Sequence, residues 1–264
     1  MKKVIRLFAV FTLVFLVACD SNEEAKSVMM ATTTSMNDSG LLDVLAPAFY
    51  EDTGIRLLWV SVGSGEAMRL ARDGEATLLF AHSPAAEEEL VADGVSRGRD
   101  TFMYNNFLFV GPVALNADSL EAAVIDLYEN RFYASRGDES GTHVMERSIF
   151  ETFTGSEYPF DMIETGQGML DTLTIANELN AFTLVDLATW LQNRHHLPNL
   201  VEAFYDKSEL VNYYSIHMIN NPHASDAELN HAAKFTQWMT GPGLEIIADY
   251  GIEQFGEPVF ILLD

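Results

Sequence analysis

Strand-like and helix-like segments alternate along this chain, and strand after strand runs into a turn rich in hydroxyls or glycine from which a helix starts. Val28 to Ala31 reads as a short apolar strand, and Leu41 to Glu51 as a helix stopped by Gly54. Ile55 to Val62 is the next strand, followed by a helix from Glu66 to Arg72 that Gly74 stops. Thr77 to Ala81 is a third strand, Pro84 opens an acidic helix, and Tyr104 to Val110 is a longer strand leading to Gly111-Pro112. Such an order predicts a parallel sheet with helices on both faces. The pattern then restarts: Leu120 to Tyr128 helical, Arg131 to Ala134 a strand, Gly141 to Phe153 a helix. Met169 to Leu179 reads as helix, Ala181 to Val185 as strand and Asp186 to Asn193 as helix. Asn212 to Ile219 is a late strand, and helices near Asp226 to Met239 and Gly243 to Tyr250 close the chain. The expected fold is therefore α/β with two lobes, each a mostly parallel sheet flanked by helices. Residues 28–112 with 215–264 form lobe 1, and residues 113–214 form lobe 2. Ligands of such folds bind in the crevice beyond the carboxyl ends of the strands.

The start of the chain is a separate object. Lys2, Lys3 and Arg6 form a basic region ahead of the apolar run Leu7 to Val17, so residues 1–18 read as a signal peptide. Leu16-Val17-Ala18-Cys19 resembles a lipoprotein processing site, which implies a lipid on the thiol of Cys19, the only cysteine. Residues 19–27 are polar and non-periodic, as in a tether. The implied location is outside the cytoplasm, anchored through Cys19, with Asp20 favouring the inner membrane. Removal of the three basic residues takes the formal charge from −24 to −27. Such a charge argues against nucleic acid or an anionic membrane surface as partner.

Against that charge, one loop collects anion-binding groups. Ser135-Arg136-Gly137-Asp138-Glu139-Ser140-Gly141-Thr142-His143 sets a guanidinium, three hydroxyls and two glycines just before a helix. Backbone N–H groups at a helix start, hydroxyls and a bidentate Arg can together hold a tetrahedral oxyanion. Thr32-Thr33-Thr34-Ser35, Gly63-Ser64-Gly65 and His82-Ser83-Pro84 repeat the arrangement after the first three strands. N-capping accounts for any one of these hydroxyls. Four such junctions beside one Arg point to a shared anion, with Asp138 as the partner that holds Arg136 flat.

Thr32-Thr33-Thr34-Ser35 with Asp38-Ser39-Gly40-Leu41-Leu42, Val62-Gly63-Ser64-Gly65-Glu66-Ala67, Ala81-His82-Ser83-Pro84, Tyr104-Asn105-Asn106-Phe107, Ser135 to His143, Glu164-Thr165-Gly166-Gln167-Gly168-Met169 and Phe182-Thr183-Leu184 together resemble the tungstate-binding proteins of ABC importers. The resemblance covers most of Val28 to Pro258. It implies a type II periplasmic-binding-protein fold, tungstate or molybdate as ligand, and a membrane permease and ATPase as partners. It also implies that Thr33, Thr34, Ser35, Ser64, Arg136, Ser140 and Thr142 hold the oxyanion, with Gly65, Ser83, Asp138 and Gly141 in support. Two positions depart from the pattern. Ser64 stands where Thr is common, and Leu187 follows Val185-Asp186 where an Arg is expected.

A phosphate- or sulfate-binding protein of an ABC importer is the nearest alternative. Phosphate at neutral pH keeps a proton and needs a carboxylate acceptor, and Ala81-His82-Ser83 offers none. An oxyanion sensor or adhesin on the same scaffold is the alternative of another class. An enzyme is not expected: Ser140 and His143 have no orienting third group, and no Gly-x-Ser-x-Gly elbow occurs. No cofactor or metal is called for. His195, His196, His217, His223 and His231 lack zinc-site spacing and read as surface or loop residues. Glu87-Glu88-Glu89 reads as a solvated helix face, and Tyr104, Phe107 and Phe109 as core.

Overall fold

The computed structural model describes residues 26–263. The signal segment and Cys19 lie outside the described residues. The first half of the chain runs β1 (Ser27–Thr33), α1 (Thr34–Asp38), α2 (Leu41–Thr53), β2 (Arg56–Val62), α3 (Ser64–Arg72), β3 (Leu78–Ala81), α4 (Pro84–Ala92) and β4 (Asp100–Gly111). Next come α5 (Leu120–Asn130), β5 (Phe132–Ser135), α6 (Gly141–Thr154), β6 (Asp161–Glu164), α7 (Met169–Leu179), β7 (Thr183–Asp186) and α8 (Leu187–Asn193). The chain closes with β8 (Val201–Phe204), β9 (Val211–Met218), α9 (Asp226–Met239), α10 (Pro242–Asp249), α11 (Ile252–Phe255) and β10 (Ile261–Leu262). The short α1, β6, β8, α11 and β10 carry too few residues for a periodic signal, and they are the elements the sequence reading lacks.

The fold is the expected two-lobed α/β type. Its first sheet has the order β10-β4-β9-β3-β1-β2. β1 pairs in parallel with both β2 and β3. β9 is antiparallel to β3 on one side and to β4 on the other, so β1 to β4 run in one direction with β9 inserted between the last two. The alternating sequence predicts the common direction. The insertion comes from a strand about 110 residues later, which local periodicity cannot reveal.

β4 belongs to both halves of the molecule. It pairs with β9 and β10 through Asn106, and with β7 and β8 from Phe107 onward. On the far side of β7, the Ala134 amide bonds to the Phe182 carbonyl at 2.8 Å, and the Phe182 amide to the Phe132 carbonyl at 2.9 Å. β5 then pairs in parallel with β6. In this second sheet β4 is the inserted antiparallel strand, as β9 is in the first.

Both faces of β3 are covered, which is why its sequence is continuously apolar rather than alternating, and β1 is covered on both faces from Met30 onward. Met30, Leu78 and Phe80 pack into the main core with Phe49, Phe235 and Trp238. Ala31, Leu79 and Ala81 face a smaller cluster with Ala67, Ala71 and Leu90. A third cluster joins Phe107 and Phe109 to α5 and α6 through Leu127, Ile149 and Phe150. Tyr104 is only half-buried, unlike Phe107 and Phe109.

Two other readings are corrected. Glu87 is fully buried, because it shares the inward stripe of α4 with Leu90. His217 is fully buried as well, and its Nε2 lies 3.2 Å from Oε2 of Glu87, which also takes the Arg99 Nε–H at 2.7 Å. The Ser96 hydroxyl at Nδ1 of His217 and the Ser83 amide at Oε1 of Glu87 complete the set, so neither side chain needs water.

Candidate functional site

The strand ends deliver their hydroxyls to one place. Thr33 closes β1 and N-caps α1, its Oγ1 accepting the Met36 amide at 3.4 Å and lying 3.3 Å from Ser35 Oγ. Ser35 Oγ reaches 2.9 Å from Nε2 of His82, the residue just beyond β3. Thr34, half-buried, turns toward the start of α7, where its side chain lies 3.7 Å from the position a Cβ on Gly168 would take. Ser64 opens α3 and is buried.

The Arg136 loop is shaped by its own hydrogen bonds. The Arg136 guanidinium, 2% exposed, bonds through Nη2 to Oδ2 of Asp138, while the other carboxylate oxygen takes the Ser140 amide at 3.2 Å. Asp138 thus ties the guanidinium to the start of α6. The Arg136 carbonyl accepts the Gly166 amide at 2.9 Å. Gly137 has φ +60°, and a Cβ there would meet that of Glu164 at 2.7 Å, so only glycine fits the turn. Ser140 then N-caps α6, taking the His143 amide at 3.3 Å.

The two halves meet at Gly141. Its amide donates to Ser64 Oγ at 3.2 Å. A Cβ at this position would stand 2.8 Å from the His82 carbonyl oxygen and 2.9 Å from Ser83 Oγ. A cavity of about 440 Å³ opens beside this contact, bounded by Ser64, Gly65, Ser83 and Gly141 with Met68 and Val144 on its apolar walls. Gly65 lines the cavity, but a Cβ there would meet nothing within 4 Å, so its surroundings do not demand glycine.

Among the described residues, four buried side-chain polar atoms have no hydrogen-bond partner. Three are Ser83 Oγ, Arg136 Nε and Thr142 Oγ1, and the fourth is His143 Nε2. Each such buried group costs about 1–3 kcal/mol when left unsatisfied. Ser83, Arg136 and Thr142 lie on the loops that meet at Gly141, so three donors without an internal partner belong to this junction. The first turns of α3 and α6 converge there too, and each adds up to about 1 kcal/mol toward an anion.

Buried carboxyls stand behind the loops. Glu146, on the buried stripe of α6 with Thr142 and Phe150, bonds to the hydroxyls of Ser135 and, at 3.0 Å, Tyr133. Burial pushes its carboxyl up to about 8, against the pull of those hydrogen bonds. Burial also raises the Asp38 carboxyl, with the Arg136 guanidinium acting in the opposite sense. Glu87 stands directly behind Ser83, taking its amide at 2.6 Å. There is thus an acid at this strand end. Burial alone would raise it, yet its bonds to His217, Arg99 and the Ser83 amide hold it below its ordinary range. Its oxygens are committed, so it offers no acceptor to a protonated ligand.

A model of the PBP superfamily domain matches residues 20–242. The tungstate-binding protein TupA of Peptoclostridium acidaminophilum is 37% identical over 248 residues, covering 89% of this chain and 85% of that protein. The chain belongs to the tungstate-binding-protein family. TupA of Campylobacter jejuni is 33% identical over 86% of this chain and 88% of its own length. Among solved structures, the tungstate ABC transporter protein from Geobacter sulfurreducens aligns with a TM-score of 0.77 at 34% identity, over 85% of this chain and 98% of that one. TupA from Desulfovibrio alaskensis G20 gives 0.74 at 35%, over 90% and 99%.

In this member of the family, sequence reasoning passed over five buried polar residues around the junction. His82 and Asn105 lie inside the blocks that carry the resemblance, and Asp186 ends β7 as the N-cap of α8. Glu146 could have been found, since it falls at helical spacing between Thr142 and Phe150 on an apolar stripe. Asn212 gives no local signal. It matters only because β9 returns between β3 and β4.

Proposed function

We propose that this chain captures tungstate between its lobes and hands it to the permease of an ABC importer, doing no chemistry on it. The observation that carries the reading is the set of unpartnered atoms on Ser83, Arg136 and Thr142, gathered where Ser64 and Gly141 touch. Thr33, Thr34, Ser35, Ser64, Arg136, Ser140 and Thr142 are the proposed contacts to the oxo groups, and Gly65, Ser83, Asp138 and Gly141 support them. Molybdate, of like charge and geometry, is the second ligand this site would accept.

Residues 28–112 with 215–264 and residues 113–214 are the proposed lobes, with β4 and β9 as the strands between them. The lipid on Cys19 would hold the protein at the outer face of the cytoplasmic membrane. Phosphate is disfavoured because Glu87, the acid nearest Ser83, has its oxygens engaged. Calorimetric titration of the purified protein with tungstate, molybdate, sulfate and phosphate tests the reading. Tungstate binding at a one-to-one ratio with phosphate unable to compete is the expected result. Phosphate binding as tight as tungstate would remove the assignment.

A further inference from the structure

A file of buried side chains runs from the start of α8 to the end of β1. Asp186 Oδ1 accepts the Thr189 amide at 3.0 Å and Oδ2 the Thr189 hydroxyl at 2.7 Å. Asn105 turns its Nδ2 toward Oδ1 of this carboxylate at 3.5 Å. Its own Oδ1 therefore faces Asn212, whose Nδ2 donates to it at 2.9 Å and to the Tyr214 hydroxyl at 2.9 Å. That leaves Asn212 Oδ1 as an acceptor 2.9 Å from Nδ1 of His82. Oδ1 of Asp186, already accepting the Thr189 amide, thus sets the direction of both amides, and they place the ring proton of His82 on Nδ1.

The consequence falls on Ser35. Burial pushes the His82 pKa down, so the ring is neutral. With its proton on Nδ1, Nε2 holds a lone pair and must accept from Ser35 Oγ at 2.9 Å. A hydroxyl has one hydrogen. Ser35 then offers the cleft only lone pairs, an arrangement that repels a fully ionised oxyanion.

We propose that capture of the dianion carries one proton from solvent onto Nε2 of His82 and so reverses the Ser35 hydroxyl. Nε2–H then donates to Ser35 Oγ, and the Ser35 hydrogen turns to a ligand oxygen. His82 is a positioning residue in this scheme, acting through Ser35. The inference rests on the reading that an oxyanion is held at Ser35.

The surroundings of His82 favour the switch. Asp186 at β7 and Glu87 on α4 attract a proton to it, and Arg136 opposes them. From β9, Asn212 and Tyr214 contribute no charge, the Tyr214 ring stacking on the imidazole at 5.1 Å with its phenol held neutral by burial. β4 presents Phe107, and α6 presents Gly141. Two negative charges arriving one hydroxyl away join the side of Asp186, while burial, with the Arg136 charge, keeps the free ring neutral.

The test is calorimetry with sodium tungstate at pH 7.5 in buffers of different ionisation enthalpy, which counts protons exchanged. Uptake of about one proton per tungstate is expected, with affinity falling up to tenfold per pH unit above neutrality. His82→Gln, whose amide donates permanently to Ser35, should bind tungstate with no uptake and a flat pH profile. Tungstate binding without proton exchange in the wild type overturns the proposal and leaves the site reading intact. Uptake that survives in His82→Gln but vanishes in Glu146→Gln overturns it too, by placing the proton on Glu146. No tungstate binding at all removes the reading beneath both. Nitrogen-15 histidine NMR of the wild type needs no variant. The His82 Nε2 signal should move from an unprotonated to a protonated position as tungstate is added, and an unchanged signal refutes the switch.

Discussion

Gly141 gives its amide to Ser64 Oγ at 3.2 Å, joining the first turn of α6 to the first turn of α3 across the junction. A methyl group on Gly141 would fall 2.8 Å from the His82 carbonyl oxygen, a rigid backbone atom. Gly141→Ala should therefore hold the two loops apart and weaken tungstate binding by about tenfold or more, roughly 1.4 kcal/mol. Calorimetry checks this. Affinity within about twofold of the wild type would show that ligand capture does not need the close approach.

Arg136 is the cation on which the proposed site would depend. Loss of a buried charge partner costs about 2–5 kcal/mol, so Arg136→Ala should weaken tungstate binding by roughly thirtyfold to several thousandfold. Arg136→Lys should recover only part, because an ammonium cannot reproduce the planar fork held by Asp138. Arg147, paired with the exposed carboxylates of Glu139 and Glu157, is the control, and Arg147→Ala should change affinity little. A folded Arg136→Ala protein that binds within about threefold of the wild type removes Arg136 from the site.

Glu146 sets a pH dependence of stability. Its carboxyl is raised to about 8 in the folded protein, against an ordinary value near 4.5. Between those two values the folded chain keeps a proton that the unfolded chain has lost, so stability falls as pH rises, by up to about 1.4 kcal/mol per unit. Glu146→Gln removes this slope. Urea unfolding at pH 5 to 8 should show the variant gaining on the wild type as pH increases. A constant difference across that range would count against the raised carboxyl.

The proposed membrane anchor is tested by location. A Cys19→Ser protein should be exported yet appear in the soluble fraction, while the wild type sediments with membranes. Retention of the variant in the membrane pellet would point to an uncleaved apolar segment, Leu7 to Val17, as the anchor.

Composition and local order were enough for much of this protein. The alternation of apolar segments sets an α/β fold, because strand and helix periods are properties of neighbouring residues. The turn chemistry of Thr33, Ser64 and Ser140 marks where helices begin, and all three sit at or beside a helix start. Arg136 beside Asp138 was legible for the same reason, since the two lie on one tight loop. Other features depend on contacts between distant residues. β9 enters the sheet between β3 and β4, which brings Asn212 to His82 across 130 positions of sequence. Only that insertion orders the file from Asp186 to Ser35 and decides which way a serine hydroxyl points. Glu87 and His217 read separately as surface charge and as a surface or loop histidine, and the fold buries both and brings them within 3.2 Å of each other. A sequence shows which groups a chain carries and how neighbouring ones pattern. Whether a buried polar atom is satisfied depends on the partner the fold brings to it, and that was set by the tertiary structure.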